Sequence, residues 1–96
     1  MLYYVYMLEC SNGSYYTGYT TDLARRYKEH EQGSDKCRYT RSFPPKKLMT
    51  FWILESKSVA LRIEAKIKKL SKSQKRQLID INADTLNEYL SLMLND

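Results

Sequence analysis

Residues 2–20, LYYVYMLECSNGSYYTGYT, hold two short runs of apolar and aromatic residues on either side of Ser11-Asn12-Gly13. Leu2 to Glu9 is built from Tyr, Val, Leu and Met, side chains that suit a pleated and half-buried surface. Asn-Gly is a strong hairpin signal. Ser14 to Thr20 then reads as the return strand, with Gly18 inside it, and an interior Gly marks a bulge or a close approach to the backbone. The turn admits two registers. A two-residue turn at Asn12-Gly13 sets Tyr6 against Tyr19 and Tyr16 against Glu9, on opposite faces of the hairpin. A three-residue loop, a type I turn closed by Gly13 at positive φ, sets Tyr6 against Gly18 and Leu8 against Tyr16, and the two tyrosines share a face.

Outward from the hairpin, Thr21 offers a cap and Asp22 a first-turn acid to a helix that runs to about Gln32, where Gly33 is placed to end it. Leu23 and Tyr27 form its apolar stripe, and Arg26 and His30 lie four apart on another face. Gly33 to Lys47 reads as a basic loop. Leu48 to Leu54 (LMTFWIL) reads as a buried third strand. Ser56 or Ser58 caps a helix to about Leu70, with Val59, Ile63, Ile67 and Leu70 on its core face, and Ser73 caps a short helix through Asp80. Thr85 to Glu88 is a capping box that precedes Leu86, Tyr89, Leu90 and Met93 at helical spacing. The expected fold is α/β: a small three-stranded antiparallel sheet flanked by helices, in the order β-β-α-β-α with C-terminal helices added. Residues 1–82 form the domain, and 83–96 a helical extension packed on it or, as the alternative, a dimer contact.

With 96 residues the chain is one domain. No apolar run reaches the ~20 residues of a membrane span. The N-terminus lacks the basic and small-residue pattern of a signal peptide, so a cytoplasmic protein with reduced Cys10 and Cys37 is expected. All 16 Lys and Arg lie between Arg25 and Arg76 against five acids, a net +11, and both flanks carry acids and no base. A basic middle between acidic ends points to a polyanion, with nucleic acid first. Eight of the nine tyrosines fall at or before Tyr39, so stacking surface and phenol groups sit beside that basic stretch. There is no P-loop, dinucleotide fingerprint or His-Glu-x-x-His motif, and a Cys-His hydrolase built from Cys10 or Cys37 with His30 is disfavoured.

Tyr4-Val5-Tyr6 on one strand and Tyr16-Thr17-Gly18 on the next resemble the paired motifs of the GIY-YIG nucleases. Arg26, His30 and Glu64 follow at the family's positions for a catalytic arginine, a second polar active-site residue and the metal-binding glutamate. Arg38-Tyr39-Thr40-Arg41 resembles the small stand-alone bacterial members, and the likeness covers roughly residues 3–76. The chain departs from the pattern at Tyr4, where the family has Gly, and at Thr17, where it has Ile; the late Asn motif has no clear counterpart, Asn82 being the only nearby candidate.

The resemblance implies a metal-dependent endonuclease on nucleic-acid phosphodiesters, DNA first and RNA second. It makes Tyr6 the general base, has Tyr16 orient water or phosphate and His30 assist proton transfer, and gives Glu64 a divalent cation, Mg²⁺ before Mn²⁺. One carboxylate is enough, because Mg²⁺ keeps most of its waters. Arg26 offers a donor fork matched to phosphate. Each residue also has a plainer reading: Glu64 as a surface ion pair with Lys68, Arg26 as a partner of Glu29 or Glu31, Tyr6 as core, Thr20 as a cap. Thr20, Arg25, Lys36, Arg38, Tyr39, Arg41 and Lys46 are expected to contact nucleic acid. A monomer is expected first. The alternatives are a non-catalytic nucleic-acid-binding module of the same fold and an interaction protein assembling through its C-terminal helix. The shared site requires Tyr6 and Tyr16 on one face, and so selects the three-residue loop, with Gly18 leaving open space above the Tyr6 phenol.

Overall fold

β1 (Tyr3–Cys10) is the middle strand of a three-stranded antiparallel sheet, between β2 (Tyr15–Thr20) and β3 (Pro45–Leu54). The computed structural model describes residues 1–82. The expected extension 83–96, with its capping box and apolar face, lies outside the described residues. Tyr6 pairs with Gly18 and Leu8 with Tyr16, so the hairpin takes the three-residue loop. Gly13 N–H donates to the Cys10 carbonyl at 2.8 Å and Cys10 N–H to the Ser14 carbonyl at 2.9 Å. Gly13 sits at φ 81°, where a Cβ would be strained.

Paired on both edges, β1 is covered on both faces too. One face carries Tyr6, Leu8 and Phe51, packed by Tyr4, Tyr16, Leu48 and by Leu23 and Tyr27 of α1 (Leu23–Gln32). The other carries Val5 and Met7 against Ala60 and Ile67 of α3 (Lys57–Lys68) and Ile79 of α4 (Lys72–Ile81). The result is helix, sheet, helix, in three layers, as the alternation of inward positions along β1 requires.

The expected elements stand, with corrections of detail. The stretch 33–47 is not all loop. It contains a short helix, α2 (Arg38–Ser42), and the start of β3, which begins at Pro45 rather than Leu48. Nor is β3 buried along its length: it is an edge strand, and of its residues only Thr50 and Phe51 are fully covered, with Ile53 45% exposed. Pro is tolerated there because an edge strand does not need every N–H for its ladder. Two register shifts against β1, between Met7 and Leu8 and between Glu9 and Cys10, bend it further. Asp22, not Thr21, caps α1, accepting from Arg25 N–H at 3.1 Å. Ser56 caps α3, and Ser71 rather than Ser73 caps α4 through a reciprocal box with Gln74. Asn82 closes α4 and donates to the Thr50 hydroxyl at 2.6 Å and the Phe51 carbonyl at 2.7 Å, which pins that end of the helix to β3.

Candidate active site

The hairpin register decides what meets α1. Tyr6 and Tyr16 leave the same face of β1 and β2, with ring centroids 6.4 Å apart. The phenol of Tyr6 reaches across Gly18, where an added Cβ would lie 2.5 Å from the Tyr6 hydroxyl oxygen. The expected open space above that phenol is therefore absent: the ring itself occupies it, and Gly18 is the clearance that lets it do so. Tyr6 thereby reaches His30, which α1 presents two turns after Leu23 and which is fully buried.

The Tyr6 hydroxyl lies 2.7 Å from His30 Nε2, and His30 Nδ1 lies 2.7 Å from the Thr40 hydroxyl. Thr40 donates its one proton to the Cys37 carbonyl at 3.3 Å. Toward His30 it can then only accept, so Nδ1 carries the imidazole proton and Nε2 accepts from Tyr6. Burial, seconded by the Arg26 guanidinium, lowers the His30 pKa to about 4, so the ring is neutral. Burial also pushes the Tyr6 phenol above its ordinary range; hydrogen bonding to Arg26 pulls it back only in part. Tyr16 is raised as well, by burial first, against the opposing pull of Arg26 and with a small push from Glu64. With both His30 nitrogens engaged, neither is left for Cys10 or Cys37, both buried free thiols.

Arg26 stands one helical turn before His30. Its guanidinium faces the Tyr6 and Tyr16 hydroxyls and also holds Glu29 at 3.3 Å and the Lys36 carbonyl at 3.5 Å. Glu64 comes from α3, beyond the β2 edge. It is felt by Tyr16, its side chain is 16% exposed, and it pairs with Lys68 at 3.6 Å. Among the described residues no three of His, Cys, Asp and Glu converge on one point. A cation at Glu64 would therefore take its other ligands from water and phosphate, a donor set that fits Mg²⁺ and not a structural zinc.

The other expected contacts divide. Thr20 is 6% exposed and its hydroxyl is spent on Asp22, accepting from the N–H at 3.1 Å and donating to the carbonyl at 3.2 Å. It serves the turn into α1 and offers little surface to nucleic acid. Arg25, Lys36, Arg38 and Lys46 are exposed and form no ion pair among the described residues, whereas Arg41 is held by Asp35 at 2.7 Å. Tyr39 stacks on Tyr16 with centroids 5.8 Å apart and planes 19° from parallel. Asn82 lies at β3 on its own structural bonds, not with the cluster. Thr40 has no site role in the sequence reading, and Cys37 was weighed there only as a thiol partner of His30; both enter the site because α2 folds back over α1.

A family model described as the GIY-YIG catalytic domain matches residues 2–77. The UPF0213 protein of Halalkalibacterium halodurans is 47% identical over 81 residues, 84% of this chain and 85% of that protein. That of Halobacterium salinarum is 49% identical over 77 residues, 80% of this chain and 99% of its own. Two solution NMR structures are similar over 84% of this chain and 85% of theirs: a UPF0213 protein from Bacillus halodurans, at 47% identity and a TM-score of 0.55, and a protein from E. faecalis, at 35% and 0.59.

Proposed function

The chain belongs to the GIY-YIG catalytic-domain family, and from that premise we propose that it hydrolyses nucleic-acid phosphodiesters, DNA before RNA, as a metal-dependent endonuclease. The observation that supports this best is the Tyr6–His30 bond of 2.7 Å beside the Arg26 guanidinium. Tyr6 accepts a proton from the attacking water as it hands its own to His30 Nε2, the lone pair that Thr40 keeps available on the far side of the ring. Neither group needs to ionise beforehand, which matters because both are buried. Arg26 neutralises the non-bridging oxygens of the phosphate through its donor fork, and Tyr16 orients phosphate or water between Arg26 and Glu64. Glu64 would hold a divalent cation, Mg²⁺ first and Mn²⁺ second, whose contribution when bound is Lewis-acid stabilisation of the developing phosphoryl charge.

The test is incubation of the protein with supercoiled plasmid and with short DNA and RNA oligonucleotides, under Mg²⁺, Mn²⁺ or EDTA. Nicking should require the metal and should fall roughly a hundredfold or more in Glu64→Ala, the scale of losing one preorganised electrostatic group. Metal-independent cutting, or equal rates in the variant, contradicts the assignment. A second reading is favoured by the Glu64–Lys68 pair: with that carboxylate satisfied by lysine, the same surface is a non-catalytic nucleic-acid-binding module. Binding without cleavage in every metal selects it.

A further inference from the structure

Beside Tyr16 a cavity of about 410 Å³ opens between β2, α2, α3 and α4, lined by Ser14, Tyr15, Tyr16, Thr17, Tyr39, Lys68 and Lys75. Its volume is at the small end of ligand pockets, enough for one nucleotide unit. Two ammonium groups reach it. Lys68 comes from α3 and is paired with Glu64. Lys75 comes from α4, donates to the Tyr15 carbonyl at 3.0 Å, and has no carboxylate partner among the described residues.

The polar groups around them are already arranged. Asn12 donates to the Tyr39 hydroxyl at 3.1 Å and accepts from the Ser14 hydroxyl at 2.7 Å, and Ser14 and Tyr39 bond each other, a closed ring that ties the hairpin turn to α2. Within the lining, the Thr17 hydroxyl is buried with no hydrogen-bond partner, on a residue only 2% exposed. A buried hydroxyl left without a partner is costly unless something completes it. Burial first, and the neighbouring Lys68 after it, lower the Lys75 pKa against the opposing pull of Tyr39.

We propose that this cavity is the subsite for the nucleotide next to the scissile phosphate, with that nucleotide's own phosphate seated between Lys68 and Lys75. The inference rests on the phosphodiester reading for what the neighbouring phosphate belongs to. It places the substrate strand along β2, from Arg26 and Glu64 past Tyr16 to Lys75. It also brings in Lys68 and Lys75, neither of which is among the residues individually expected to contact nucleic acid.

The experiment titrates isotopically labelled protein with thymidine 3′,5′-bisphosphate and, separately, with inorganic phosphate, and follows backbone amide shifts by NMR. The bisphosphate should shift Ser14, Thr17, Lys68 and Lys75 saturably, and more tightly than inorganic phosphate does. Lys75→Gln and Lys68→Gln should each weaken that binding about tenfold or more, the factor for one charge-assisted hydrogen bond. Should Lys75→Gln not fold, Lys68→Gln alone decides, since that side chain is half exposed. Shifts confined to the neighbourhood of Arg26, or wild-type affinity in a folded lysine variant, overturn the subsite. Cleavage of oligonucleotides with no response at these amides overturns it and leaves hydrolysis standing. Saturable shifts in a protein that cuts nothing overturn the nuclease reading, and with it the tie to a scissile phosphate, and support the cavity as a nucleotide-phosphate site alone.

Discussion

Tyr6 and Gly18 form one unit, because the phenol can reach His30 only across a residue without a Cβ. In Gly18→Ala the new methyl would stand 2.5 Å from the Tyr6 oxygen and 2.7 Å from Cζ. Both atoms belong to a ring that is itself buried, so the ring must move. The expected loss is about 2 kcal/mol of stability, the usual cost of overpacking, together with the Tyr6–His30 bond and any cleavage. A melting curve and a structure of the variant check it; an unmoved Tyr6 contradicts the close-approach account. His30 supplies a second prediction at this scale. Its pKa is about 4 in the folded chain and about 6.5 unfolded. The unfolded state therefore binds a proton that the folded state refuses. His30's contribution is complete above pH 6.5 and is lost as pH falls through about 4, a span worth about 3 kcal/mol by linkage. Denaturant melts between pH 7 and 4 should show that slope, and His30→Gln should remove most of it. A titrating His30 resonance near pH 6.5 would mean that the ring is not buried neutral.

At the scale of elements, the hairpin was legible to the residue and the segment after α1 was not. Asn12-Gly13 announces a turn under either register, and propensity by itself prefers the tight one. What selects the three-residue loop is the demand that Tyr6 and Tyr16 share a site, and Gly13 at φ 81° with the Tyr6–Gly18 pair meets it. α2 was missed because five residues, RYTRS, carry no helical period and its N-cap Cys37 makes no side-chain cap. With α2 went Thr40, since nothing in sequence spacing brings it to His30. Tyr6, Tyr16, Arg26 and His30 were singled out through the family resemblance, to which the residues themselves added only the i, i+4 spacing of Arg26 and His30 on α1. Glu64 was legible only through the family resemblance. Lys75 belongs to a helix whose cap was misplaced by two residues, so its face could not be assigned. That cap can be measured. Ser71→Ala removes the bond to Gln74 N–H and half of the capping box, and should cost about 1 kcal/mol. Ser73→Ala, which disturbs no bond that holds the helix end, should cost only a few tenths. Equal losses in the two variants would return the helix start to Ser73.

For the molecule as a whole, charge placement predicts how binding responds to salt. The +11 of residues 25–76 is unevenly available. Arg26, Arg41, Lys68 and Arg76 have carboxylate partners, while Arg25, Lys36, Arg38 and Lys46 have none among the described residues. A lysine or arginine that neutralises a phosphate releases counterions, and log affinity falls with log salt by about 0.9 per contact on duplex DNA and about 0.7 on single strands. These four exposed residues, among the bases without a carboxylate partner in the described residues, should by themselves contribute a slope of roughly −3 to −4 on duplex. Replacing Arg38 and Lys46 with Ala should flatten it by about 1 to 2 units and weaken binding to all sequences alike. Arg41→Ala should flatten it less, because a guanidinium already held by Asp35 neutralises no phosphate of its own and so releases few counterions. Fluorescence anisotropy across a salt series, at fixed pH and with EDTA to prevent cutting, measures all three slopes. Should Arg41→Ala flatten the slope as much as Arg38→Ala, the Asp35 pair is not held in solution. A flat response in the unaltered protein would remove phosphate contacts from the account of binding altogether.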